Sequence, residues 1–164
     1  MRILKISTFA LTALFAMSNF ALAGTAVPAA GYGLNTTTSS EATPLADGST
    51  LIHQTSHGFW IETTTEAGFP SDKVADCNPT MLLSAEGAMI AYRSICTATD
   101  IDGDLFVGVI SAMKPDFSDC AWTMHGGTGK YAGVTGGGQC MPGGPITKDG
   151  NSSKSTWTGE WILP

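Results

Sequence analysis

Basic side chains are scarce. The 164 residues carry 8 Lys and Arg against 14 Asp and Glu, and charged residues of both signs make up only 13% of the chain. An acidic surface repels phosphate backbones and anionic headgroups, which excludes nucleic acid as a partner and argues against attachment to a membrane surface. Helical 3.6-residue apolar periodicity is nearly absent, so a helical fold has no support. Beyond the first two dozen residues no apolar run is long enough to cross a bilayer. There is no C-x-x-C pair and no G-x-S-x-G, which removes the usual structural zinc site and the nucleophile elbow of hydrolases.

What is there begins with an export signal over residues 1–23. Arg2 and Lys5 form a positive start, Phe9 to Met17 an apolar stretch, and Ala21-Leu22-Ala23 a small-residue cleavage site. Cleavage after Ala23 leaves no cysteine to acylate, so the expected product is periplasmic or secreted, with no membrane anchor. It has 141 residues, enough for one domain, and loses Arg2 and Lys5, so fourteen acidic side chains face six basic ones, a net charge of −8. From 24 to 49 the chain is rich in Thr, Ser, Ala, Gly and Pro with no apolar period, and is read as a flexible leader. The folded domain is expected over 50–164.

Within that domain, short period-2 segments alternate with turn signals, and glycines are scattered throughout. Asp102-Gly103 lies between Thr97–Ile101 and Asp104–Val107. This is a strong hairpin signal, expected as a two-residue turn with both central residues at positive φ. A second turn is expected at Glu86-Gly87. Further strands are expected at Gly58–Thr65, Phe117–His125, Tyr131–Cys140 and Ser155–Leu163. Seven or eight short antiparallel strands indicate an all-β sandwich or closed barrel. Along Asp104–Ala112 both faces are apolar. In a barrel that means a filled interior and a covered exterior, for which a lid, the leader or a second subunit in a homo-oligomer is a candidate.

Four cysteines (Cys77, Cys96, Cys120 and Cys140) in an exported chain favour two disulfides, and four allow three pairings. Register favours one of them. A two-residue loop at Glu86-Gly87 sets Ala85 opposite Ala88 and, counting back along both strands, Cys77 opposite Cys96, within disulfide reach. Cys120–Cys140 then follows by elimination.

Gly126-Gly127-Thr128-Gly129-Lys130-Tyr131-Ala132-Gly133-Val134-Thr135-Gly136 resembles the glycine segment of allene oxide cyclase-like barrels and the related dirigent proteins. Cys96-Thr97-Ala98-Thr99-Asp100-Ile101-Asp102-Gly103-Asp104 is similar to the hairpin of exported bacterial members, and Trp157-Thr158-Gly159-Glu160-Trp161 to their closing strand. The resemblance implies a small antiparallel eight-stranded barrel of the allene oxide cyclase, dirigent or lipocalin kind, with an apolar central cavity and frequent oligomers. It carries no mechanism, because the cyclases' polar guiding residues find no matched positions here, and a shared fold does not fix function.

Candidate chemistry is sparse. The glycine segment fails as a phosphate loop, since Met124 stands where the first Walker glycine belongs and Tyr131 replaces Ser/Thr. Asp100, Asp102 and Asp104 suggest calcium, but an EF-hand loop counted from Asp100 has Leu105 at position 6 and Ser111 at position 12. His53 and His57 lie roughly 13 Å apart on a strand, too far to share a metal. No metal and no cofactor is expected. Glu62, His125 and Glu160 are the candidate acid–base residues. The aromatic set is the better pointer: Trp60, Tyr92, Trp122, Tyr131 and Trp161 fall on or beside expected strands and either fill a small barrel or line a cavity for a ligand.

The function expected from sequence is that of an exported barrel binding a hydrophobic small molecule in its lumen without catalysis. Two alternatives stand beside it. One is a cyclase or isomerase folding a polyunsaturated or polyketide-like substrate, which relies on shape and few polar groups. The other is an interaction protein of the cell envelope.

Overall fold

A computed structural model describes residues 24–164. The expected export signal over 1–23 lies outside the described residues. Eight antiparallel strands follow one another around a closed barrel in sequence order, and β1 closes on β8. The strands are β1 (Thr25–Pro44), β2 (Thr50–Glu62), β3 (Asp72–Leu83), β4 (Met89–Asp100), β5 (Leu105–Ala112), β6 (Ala121–Gly127), β7 (Thr135–Pro145) and β8 (Ser152–Leu163). A short 3-10 turn at Gly129–Tyr131 links β6 to β7. No helix of the described residues is long and apolar enough to cross a membrane.

The main departure from the sequence reading is the segment 24–49. It is no leader: β1 occupies most of it, and at 20 residues is the longest strand. The inward positions of β1 are Val27, Ala29, Gly31, Gly33, Asn35 and Thr37, and after Val27 they are small or polar throughout, so they give no sustained apolar alternation. Pro28 is tolerated because β1 pairs only with β8 there; the ladder to β2 begins at Gly31.

The hairpins also differ in detail. Asp100 N–H donates to the Asp104 carbonyl at 3.0 Å, so the loop is Ile101-Asp102-Gly103. Only Gly103 (φ 84°) is at positive φ, which is the three-residue loop with a left-handed glycine in third place. Ala85-Glu86-Gly87 repeats the design, with Ser84 N–H on the Ala88 carbonyl at 2.7 Å. That loop alone would shift the register by one residue. An irregularity after Leu82 restores it, and Cys77 lands opposite Cys96. The Cys77–Cys96 and Cys120–Cys140 disulfides are both formed.

Two apolar clusters lie toward the two ends of the tube. At one end Ala29, Ala75, Ala98, Phe106, Met124, Tyr131, Val134 and Trp161 are buried, with Phe69 of the β2–β3 loop packed against them. At the other end Met89, Ala112 and Cys120 form a smaller cluster with Tyr92, Ile110 and Phe117. Between them lies a cavity.

Candidate functional site

The cavity has a volume of about 280 Å³. An engineered apolar cavity of roughly 150 Å³ is enough to hold benzene. Its walls are aromatic: Trp60, Phe106, Trp122, Trp157 and Trp161 line it, with Tyr92 and Phe117 toward the second end. Trp60 lies 5.7 Å from Trp157 and 6.2 Å from Phe106, while Trp122 lies 5.1 Å from Trp161.

Glycines explain why so many large rings leave space. A Cβ on Gly31 would strike the Trp157 ring, one on Gly33 would come within 2.9 Å of Trp60, and one on Gly159 within 2.8 Å of Trp122. Each of these indoles therefore passes close to a glycine: Trp157 and Trp60 beside their cross-strand partners Gly31 and Gly33, and Trp122 reaching Gly159 on β8. Gly108 is a bare inward position on β5, where an added Cβ would meet nothing closer than 3.7 Å.

Polar groups sit at two levels. Asn35, Thr37, Gln54, Ser56, Ser153 and Ser155 line the cavity along β1, β2 and β8. Trp60 donates its indole N–H to Asn35 Oδ1 at 3.0 Å. Toward the end closed by Phe69 lie Glu62 and Lys73, 6% and 4% exposed, both lining the cavity. Glu62 Oε1 accepts the Ala30 N–H at 3.0 Å and the Thr64 hydroxyl at 2.7 Å. Lys73 Nζ donates to the Pro70 carbonyl at 2.7 Å, with a longer contact of 3.5 Å to Ser71. Burial pulls the Lys73 ammonium below the usual lysine range, against the opposing carboxylates of Glu62, Asp100 and Asp72. Burial likewise pushes the Tyr92 phenol up, with a smaller opposing effect from Ser94. The buried Trp161 indole N–H has no hydrogen-bond partner among the described residues.

Of the residues singled out from sequence, Trp60, Tyr92, Trp122 and Trp161 do line the cavity, and so does Glu62. Three do not. His125 and Glu160 are exposed on the outer face, because their strands alternate and Met124 and Trp161 take the inward positions. His125 Nε2 lies 3.1 Å from Thr123 Oγ1. Tyr131 is wholly buried outside the cavity, in the plug of the closed end. Lys73, Asn35 and the hydroxyl residues were missed. Lys73, Ala75 and Cys77 fall on alternate positions of β3, an inward period-2 set that only the disulfide register would have revealed.

Tyr131 belongs to a different assembly. Its hydroxyl donates to Asp100 Oδ2 at 3.1 Å, and Lys130 Nζ reaches Asp100, Asp102 and Asp104 at 2.8, 3.1 and 2.7 Å. Asp100 Oδ1 accepts the backbone N–H groups of Asp102 and Asp104. A lysine thus sits among the three aspartates that suggested calcium. Burial works to raise the Asp100 carboxyl, but Lys130, the Asp102 N–H and the Tyr131 hydroxyl overcome it and hold it below the usual range. The glycine segment is therefore structural. It swings Lys130 and Tyr131 under the β4–β5 hairpin and closes the barrel end.

Compared with protein-family models, curated proteins and solved structures, the chain matches none. The geometry can enclose a flat apolar molecule, offer it hydroxyl and amide contacts along one wall, and present a buried carboxylate and amine at its closed end.

Proposed function

We propose that this protein binds a flat, largely apolar small molecule in the barrel lumen. The observation that carries the reading is the aromatic cavity of about 280 Å³, with glycines making room for three of its indoles. Core packing for its own sake would fill such a space, since interiors tolerate few voids larger than a water. A few polar groups on an apolar wall are the usual make-up of a small-molecule site. The acidic surface and the paired cysteines suit work outside the cytoplasm, in keeping with the export signal read at 1–23.

The test is a titration with the neutral dye N-phenyl-1-naphthylamine, followed by fluorescence, on the wild-type protein and on Gly108→Leu. The substitution adds an isobutyl group that projects into the lumen from a position with room for its Cβ. Wild-type protein takes up one equivalent, and Gly108→Leu loses uptake while keeping its melting temperature. Absence of uptake by the wild type, or equal uptake by Gly108→Leu, overturns the proposal.

A second reading, a cyclase or isomerase of the allene oxide cyclase-like type, is favoured by one observation. Glu62 and Lys73 are buried at the end of the aromatic cavity, where an acid–base pair can act on a folded polyunsaturated or polyketide-like chain.

A further inference from the structure

We infer that Lys73 is a carbonyl-capturing amine: an apolar aldehyde seated in the lumen condenses with its Nζ to form an imine. This rests on the lumen-binding reading and names the chemical class of ligand. Lysines buried in apolar sites are the ones that serve as Schiff-base amines, because loss of hydration favours the neutral, nucleophilic form.

The surroundings of Lys73 fit that role. It is 4% exposed, and it lines the cavity near its closed end. It pairs across the sheet with Trp60 on one side and Asp100 on the other. The carbonyls of Pro70 and Ser71 are acceptors only. A neutral amine has two N–H groups, one for each carbonyl, and its lone pair stays free. These two loop carbonyls therefore hold the nitrogen in place without requiring its charge. Lys154 also borders the cavity, but its ammonium lies 5.2 Å over the ring of Tyr32, and the residue is exposed.

In the step, the Nζ lone pair adds to the aldehyde carbon and forms the C–N bond. The C–O bond then breaks, and the oxygen leaves as water with the two hydrogens that the nitrogen gives up. No electrons are gained or lost. Glu62, lining the same end of the cavity, is the carboxylate available to move the proton from nitrogen to oxygen. On protonation the imine recovers one N–H for the Pro70 carbonyl.

The experiment uses 2-naphthaldehyde with cyanoborohydride, which fixes an imine as a stable amine, followed by peptide mapping. The expected result is one naphthylmethyl group on Lys73, about tenfold above the labelling of exposed Lys114, Lys148 and Lys154, as expected for an activated amine. The matched alcohol, 2-naphthylmethanol, competes the label away. Lys73→Arg keeps a cation able to donate to both carbonyls but forms no adduct. Even labelling of all lysines, or a lumen label that survives in Lys73→Arg, overturns the inference. If Lys73→Arg fails to fold, the wild-type peptide map decides. Binding of the alcohol without a Lys73 adduct sinks the amine chemistry and leaves lumen binding standing. Failure of the alcohol and of N-phenyl-1-naphthylamine to bind sinks both.

Discussion

Replacing Tyr131 by Phe separates the two roles that an aromatic residue has in this barrel. The ring stays: it packs 4.7 Å from Phe69 and 5.3 Å from Phe106, and the tyrosine is fully buried, so phenylalanine fills the same space. Only the hydroxyl is lost, with its 3.1 Å bond to Asp100 Oδ2. A hydrogen bond to a charged group is worth about 1.5–3 kcal/mol, and removing it takes one partner from a buried carboxylate. Asp100 keeps Lys130 on the same oxygen and two backbone N–H groups on the other, which holds the cost to about 2 kcal/mol. For a domain of this size that lowers the melting temperature by roughly 5–10 °C. Tyr131 does not touch the cavity, so uptake of N-phenyl-1-naphthylamine stays at the wild-type level. Circular dichroism melts and a dye titration on the same preparation measure both. An unchanged melting temperature with weakened uptake would return Tyr131 to the lumen, where the sequence reading had put it, and refute the assignment of the glycine segment to the plug.

The same network sets an acid response. The Asp100 carboxyl is held below its unfolded value, so its contribution is complete above the ordinary carboxylate range and is lost as pH falls through the depressed folded value. Lys130→Met removes the cation, raises that value, and moves the loss of stability toward neutral pH; melting temperatures between pH 3 and 7 show whether the two curves diverge on the acid side. The Cys77–Cys96 bridge closes 19 residues of chain, which the loop-entropy treatment values at about 3 kcal/mol. Replacing both cysteines by alanine is expected to lower stability in urea by about that amount, and an unchanged midpoint would contradict it.

How much of this was legible in the sequence depended on the kind of signal each residue carries. The all-β class follows from turn chemistry, which is local, whereas turn chemistry leaves sandwich and barrel open and the closed barrel is favoured by the two apolar faces of Asp104–Ala112 and by the resemblance. The Cys77–Cys96 pairing is reached with a two-residue loop, and it stands because the irregularity after Leu82 offsets the third loop residue. The β4–β5 and β3–β4 hairpins were found through Asp102-Gly103 and Glu86-Gly87, although each loop has three residues. Asp47-Gly48 carries the same signature: Leu45 N–H bonds the Ser49 carbonyl at 2.8 Å, and Gly48 has φ 86°. It marks the β1–β2 hairpin that composition had assigned to a leader. Hydrophobic periodicity cannot detect a strand whose inward residues after Val27 are Ala29, Gly31, Gly33, Asn35 and Thr37. Which way a side chain points is likewise a register property. Glu160 and Trp161 are neighbours in sequence on opposite faces, and nothing local separates the acid outside from the indole inside. Tyr131 shows a further limit, since its side chain enters the plug from a turn between strands, where strand alternation says nothing.

The glycines lost in that reading hold the physical connection between sequence and proposed function. Four tryptophans in an eight-stranded barrel would ordinarily be taken as its filling, because barrels of this size have interiors that side chains just fill. Three of them pass close to a glycine: Trp157 to Gly31, Trp60 to Gly33, Trp122 to Gly159. A side chain at any of these glycines would meet the indole, and at Gly31 and Gly159 also the backbone carbonyl of a neighbouring strand, so all three positions need the smallest residue. Two of these glycines are on β1, the strand that composition hid. Small inward residues on β1 thus make room for the Trp60 and Trp157 indoles beside them, at the conformational cost that glycine carries in a strand.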